Sequence, residues 1–167
     1  DMRWATPEIV AQYRAERLRC GVIADLGCGI GCQSFAFASV CKKVFAVEKD
    51  ARKVELAQKN AKILGIKNIE FITGDILSSE VVTRLKSEKV EVIFCDPERL
   101  SGEEERKVES IMPNIPELLK LYSAISDKIA IEFPPQIKNM PPDCEQEYLS
   151  VEGQLNSLTL YFGGLKQ

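Results

Sequence analysis

Histidine is absent from this 167-residue chain. That removes His-based triads, histidine general bases and most zinc chemistry together. Basic charge is not in excess either: 22 Lys and Arg stand against 25 Asp and Glu, a net charge of −3. A protein that grips nucleic acid unaided usually shows a basic face. Here any such patch must be local. No apolar run approaches the roughly 18–20 residues that span a bilayer. No basic-then-apolar signal stretch opens the chain. The expectation is a cytoplasmic protein with no membrane segment. Six cysteines are present, but Cys28, Cys32 and Cys41 form no C-x-x-C ligand pair, so no metal is expected. They read as small buried hydrophobes in a reducing compartment.

What is present fits one domain, residues 1–167, long enough for a sizeable core and a three-layer fold. Apolar content of 45% and charged content of 28% are those of a globular protein. The chain starts at Asp1 rather than methionine, which leaves room for further sequence in the whole protein, a substrate-binding domain included. No internal repeat or low-complexity stretch appears.

The pattern predicts a helix over 7–19 in an N-terminal segment, 1–20, that packs on the domain. Thr6 is its expected cap, with Pro7 in the first turn and Ile9, Val10, Tyr13 and Leu18 on its apolar face. Strands and helices then alternate: strands over 22–25, 43–47, 69–72, 90–95 and 128–133, helices over 31–39, 50–64, 77–85 and 116–123. In the helix over 50–64, Asp50 is the cap, Val54, Leu56, Ala57, Ala61 and Leu64 supply the apolar face, and Gly65 is the stop. Residues 101–114 read as an inserted loop, with a possible helix at 103–110. Runs at 148–151 and 157–162 read as an antiparallel pair turning at Gly153-Gln154. Alternation followed by a hairpin predicts an α/β fold with a doubly wound, mostly parallel sheet. Cys20 and Cys41 each precede a neighbouring strand, so they are expected side by side, close enough for a disulfide.

Asp25-Leu26-Gly27-Cys28-Gly29-Ile30-Gly31 joins the first strand to the next helix. Strand, glycine-rich turn and helix bring backbone N–H groups close to a nucleotide-like ligand. A dinucleotide enzyme prefers G-x-G-x-x-G; here the spacing is G-x-G-x-G. Ligands of such sheets bind at the carboxyl ends of the strands. Four successive strands carry an acid there: Asp25, Glu48, Asp75 after Gly74, and Asp96. Glu48 is placed to accept ribose hydroxyls, Asp75 an adenine amine, and Asp25 an ammonium or a bridging water.

The glycine turn, Val47-Glu48-Lys49-Asp50 and Thr73-Gly74-Asp75 resemble the first three motifs of class I S-adenosylmethionine (SAM)-dependent methyltransferases. The resemblance covers essentially the whole chain. It implies a seven-stranded Rossmann-like sheet with a C-terminal hairpin, SAM as cofactor, and methyl transfer. It implies cofactor contacts at Asp25, Gly27, Cys28, Gly29, Gly31, Glu48, Lys49, Gly74, Asp75, Ile76 and Asp96. Two flanking segments, Ala5-Thr6-Pro7-Glu8-Ile9-Val10-Ala11 and Leu155-Asn156-Ser157-Leu158-Thr159-Leu160-Tyr161-Phe162-Gly163, are similar to the catalytic domain of trimethylguanosine synthases. Those enzymes methylate the exocyclic N2 of a 7-methylguanosine RNA cap, which implies an RNA partner here.

The fourth motif departs from that family. Exocyclic-amine methyltransferases commonly carry Asp/Asn/Ser-Pro-Pro followed by an aromatic that stacks on the base. This chain has Asp96-Pro97-Glu98-Arg99. Asp96 and Pro97 keep the acceptors for a target amine and are the catalytic candidates. Stacking must come from elsewhere, with Trp4, Tyr13 and Phe133 as candidates. Thr6, Arg99, Phe133 and Pro134 are expected to border the acceptor. Two other readings stay open: methylation of a small molecule or a protein, and a SAM- or RNA-binding module without activity of its own. A NAD-dependent oxidoreductase ranks last.

Overall fold

A computed structural model describes residues 6–99, 111–137, 140–141 and 143–167, with the side chains of 98–99 and 111–112 left aside. Residues 101–110 of the expected loop, its candidate helix at 103–110 included, fall outside the described residues, as does Trp4; the loop's end is corrected, because Ile111–Met112 forms a strand.

Helix α1 (Glu8–Arg17) leads into strand β1 (Val22–Leu26), α2 (Cys32–Val40), β2 (Lys43–Glu48), α3 (Ala51–Ile63), β3 (Ile69–Thr73), α4 (Ser79–Ser87) and β4 (Val92–Cys95). A short antiparallel pair follows, β5 (Glu98–Arg99) with β6 (Ile111–Met112). Then come α5 (Ile115–Tyr122), β7 (Ile129–Phe133), β8 (Glu145–Val151) and β9 (Gln154–Phe162). The seven-stranded sheet runs β3-β2-β1-β4-β7-β9-β8. Its first five strands are parallel, and β9 and β8 close it as an antiparallel hairpin. The order reverses between β1 and β4, so their carboxyl ends form the crevice expected of this architecture.

The parallel strands are nearly continuous apolar runs because both faces are covered. Side chains alternate between the faces. In β4, Ile93 and Cys95 join the core under α4 and α5, while Val92 and Phe94 join the core under α1 and α2. Caps set the helix starts. Asp50 accepts from Arg52 N–H at 2.8 Å and Ser78 from Val81 N–H at 3.3 Å. Asn114 accepts from Glu117 N–H at 3.0 Å.

Four local expectations are corrected. Pro7, not Thr6, holds the cap position of α1, and its carbonyl accepts from Val10 and Ala11. The buried stripe of α1 is Val10, Ala11, Arg14, Ala15 and Leu18, whereas Ile9 and Tyr13 are exposed. An arginine occupies that stripe because it finds ionic and amide partners beneath the helix, described below. Likewise Val54, Ala57 and Ala61 form the buried face of α3, while Leu56 and Leu64 face outward. The hairpin turn falls at Glu152-Gly153, one residue earlier than expected. Both residues have positive φ (51° and 77°), as a two-residue type I′ turn requires. Cys20 and Cys41 are neighbours as expected; both are thiols in this structure.

Candidate cofactor site at the strand tips

The glycine turn is held by its neighbours on either side. Gly27 and Cys28 N–H both donate to the Val47 carbonyl of β2, at 2.9 and 3.0 Å. Gly27, Gly29 and Gly31 all have positive φ, a conformation that side chains disfavour. At Gly27 a Cβ would also stand 3.0 Å from the Asp96 carbonyl oxygen, so β1 and β4 tips meet across a glycine. Above Gly29 a Cβ would meet nothing within 4 Å. The turn is therefore tight on its protein side and open at Gly29.

The predicted acids arrive by different routes. Asp25, on β1, is 1% exposed and accepts from the Ser34 hydroxyl of α2. Burial pushes its carboxyl up to about 6, against the Ser34 hydrogen bond and the Arg14 charge; Glu48 and Glu132 add to the rise. Glu48, 3% exposed at the end of β2, accepts from Gly29 N–H (3.0 Å) and Asp50 N–H (2.9 Å), one bond per oxygen. It thus ties the glycine turn to the start of α3. Asp75 is exposed and accepts from Leu77 N–H at 2.8 Å. Gly74 N–H donates to the Glu48 carbonyl at 3.0 Å. Ile76 is held from below by Tyr122, whose hydroxyl donates to its carbonyl at 2.7 Å. Lys49 is exposed just past β2. Cys28 is buried, which drives its thiol well above the usual range.

Of the acceptor-side candidates, Asp96 is exposed at the end of β4 and its N–H reaches the Leu26 carbonyl at 3.3 Å; Pro97 is buried beside it. The backbone of Arg99 pairs with Ile111. Thr6 is half-buried ahead of α1, and Pro134 is buried after β7. Phe133 is corrected as a stacking candidate. Its ring is 1% exposed and belongs to the core with Ile137 and Leu158, because its register on β7 points it to the α4/α5 face. Tyr13 is exposed on α1, and its hydroxyl donates to Glu147 of β8 at 2.8 Å.

Four residues at this site were not singled out from sequence: Arg14, Gln33, Ser34 and Glu132. Arg14 is 0% exposed. Its Nη1 donates to Gln33 at 2.7 Å, its Nη2 lies 2.7 Å from Glu132, and its guanidinium sits 4.9 Å from the Phe94 ring centre. Gln33 in turn donates to the Ala11 carbonyl at 3.1 Å, closing the contact between α1 and α2. Asp25, Glu48 and Glu132 share one sheet face by the two-residue alternation of their strands. Three carboxylates thus gather on the α1/α2 side with one buried arginine. The signals were available: Arg14 interrupts an otherwise small and apolar stripe, and Glu132 interrupts an apolar strand.

Among the described residues no His/Cys/Asp/Glu group is arranged to hold a metal, and no helix is long and apolar enough to cross a membrane. The sequence profile of a family described as RNA cap guanine-N2 methyltransferase matches residues 20–165. The chain belongs to that family. It is also similar to an uncharacterized RNA methyltransferase of Clostridium tetani, 40% identical over 77 residues, which is 46% of this chain and 16% of the relative. The chain spans less than a quarter of the length of the first curated relatives it matches. A putative methyltransferase from Porphyromonas gingivalis shares the fold with a TM-score of 0.87 at 18% identity, over 99% of this chain and 42% of that one. A putative methyltransferase from Streptococcus mutans, solved in complex with SAH, does so at 0.61 and 12% identity, over 93% and 96%.

Proposed function

We propose that this member of the RNA cap guanine-N2 methyltransferase family binds SAM across the tips of β1, β2 and β3. The methyl acceptor in this reading is an exocyclic amine of an RNA base, of the guanine N2 kind. The observation that carries the SAM site is the charge beside the glycine turn. Asp25, Glu48 and Glu132 outnumber Arg14 on one sheet face, and SAM carries two positive groups and one negative. The donor set fits such a ligand. So does the start of α2, which has no side-chain cap and no acid in its first turn. A helix N-terminus without an acid suits the carboxylate of a methionine moiety.

SAM supplies a methyl group on a sulfonium that is already activated, so the protein contributes mainly proximity and alignment. In this reading Asp25 accepts from the ammonium. Each Glu48 oxygen keeps a lone pair beyond its backbone bond, which serves the ribose hydroxyls. Asp75 offers its second oxygen to the adenine amine. The backbone at Gly27, Cys28, Gly29, Gly31, Lys49, Gly74 and Ile76 borders the ligand. Asp96, with the Pro97 carbonyl, orients the acceptor amine and takes its proton.

Transfer of labelled methyl from SAM to total RNA, protein and small-molecule fractions tests the acceptor. Label in RNA, recovered as an N2-methylated guanosine after digestion, supports the reading. Label confined to protein or small molecules supports the second reading, which the burial of Phe133 and the lack of an aromatic after Pro97 favour. SAM binding with no label in any fraction supports a module without activity of its own. Asp96→Ala is expected to abolish turnover with SAM affinity largely kept; normal turnover in that variant would exclude Asp96 from the chemistry.

A further inference from the structure

The edge of the sheet opposite the strand tips carries a pair of cysteines that methyl transfer does not use. Cys20 lies two residues before β1 and Cys41 two residues before the first residue of β2. The strands pair in parallel with Val22 opposite Lys43, so the same register sets Cys20 opposite Cys41. The Gly21 carbonyl accepts from both Lys42 and Lys43 N–H at 3.0 Å, which fixes the two segments against each other. The sulfurs stand 3.9 Å apart. Cys20 is half-buried and the more accessible of the two; Cys41 is buried. Among the other four free cysteines, Cys28 and Cys144 direct their sulfurs to the Gly29 and Pro141 carbonyls.

We propose that Cys20 and Cys41 form a redox-modification site, a dithiol that small disulfide oxidants close to an intramolecular disulfide bracing the cofactor-binding turn. The separation of 21 residues encloses β1, the glycine turn and α2. Closure therefore ties the foot of β1 to the end of α2, with the turn between them. The sulfurs must approach to about 2.05 Å, a side-chain rotation between segments whose backbone is already in register.

The chemistry balances with oxidised glutathione as the oxidant. The Cys41 thiol is lowered to about 7 by the hydrogen bond from Cys20, against burial, while Cys20 is raised by the same bond. Deprotonation of Cys41 leaves one proton in the contact between the sulfurs, able to pass from one to the other. As the accessible Cys20 sulfur attacks oxidised glutathione, the shared proton passes to Cys41 and one glutathione thiolate leaves. Cys41 gives that proton to solvent and attacks the Cys20 sulfur. The S–S bond forms and the second glutathione thiolate leaves. The two cysteines lose two electrons, and oxidised glutathione gains them and takes up two protons to become two thiols.

The test incubates the reduced protein in glutathione buffers of rising oxidised fraction, alkylates free thiols, and maps peptides without reduction. The expected result is a Cys20–Cys41 cross-link, with Cys28, Cys32, Cys95 and Cys144 alkylated. The cross-linked protein should melt about 5–10 °C higher than the reduced form. Dithiothreitol should reverse the rise, and Cys20→Ser should not show it. Alkylation of both cysteines at every glutathione ratio would overturn the proposal. So would glutathione retained on Cys20 without a cross-link, or a cross-linked protein that melts no higher.

Discussion

Replacing Asp25 by asparagine is expected to stabilise the free protein while removing its affinity for SAM. The folded carboxyl titrates at about 6 because burial penalises its charge. In the unfolded chain it titrates near 3.9. Between about pH 4 and 6 the native state holds a proton that the unfolded state has released. The stability this group contributes is fully present below about pH 4 and is lost as the pH rises through about 6. Two units of difference amount to ~3 kcal/mol once both states are ionised. About half of that is lost by pH 5, where the unfolded carboxyl has already titrated. Asparagine keeps the shape and escapes the loss. Its advantage over the parent protein should therefore be about 1.5 kcal/mol larger at pH 8 than at pH 5. For a chain of this size that is a further 3–6 °C in Tm, roughly. Calorimetric melting of both proteins at both pH values reads the difference, and a SAM titration reads the loss of affinity. An advantage that is equal at the two pH values, or larger at pH 5, would refute burial of this charge as its source. Unaltered SAM affinity would refute the ammonium contact.

Two other substitutions separate cofactor contacts from scaffold. Arg14→Met leaves Glu132, only 12% exposed, without its cation and should cost about 3 kcal/mol in urea unfolding. Adding Glu132→Leu should recover much of that loss, because a well-packed apolar pair often replaces a buried ion pair at no net cost; an uncompensated double variant would argue against the pair. Glu48→Ala removes the acceptor of the Gly29 and Asp50 N–H groups as well as the proposed ribose contact. It should weaken SAM binding in calorimetry, and an unchanged Kd would rule the contact out.

The site divides into a part that local sequence determines and a part that it does not. The glycine turn is legible because its backbone needs glycine: three positive φ values in five residues are a local requirement, whatever else the chain does. The acids at Glu48, Asp75 and Asp96 are legible because a parallel strand ends where its apolar run ends, and the residues just beyond stand at the sheet edge. The alternation of strands and helices, with a β-rich hairpin after it, likewise determined the fold class. Two-residue periodicity also distinguishes the faces of each strand, but it does not say which helix covers a face.

That assignment was made only in three dimensions. Arg14 looks like one more surface charge of a helix until α1 is laid against α2 and β7, where Gln33, Phe94 and Glu132 surround it. Phe133 looks like an aromatic at the mouth of the site until its register on β7 turns it into the core. Ile9 and Tyr13 look like the inner face of α1 because they are apolar, yet the stripe that meets the sheet is the one whose small residues allow close packing and whose arginine finds a carboxylate. The sequence by itself determined a glycine turn ringed by acids, since those depend on local backbone and strand ends. Which charges share a face and which aromatics reach solvent came only with the packing of helices on the sheet, because both depend on contacts between separate elements, such as Arg14 of α1 with Glu132 of β7.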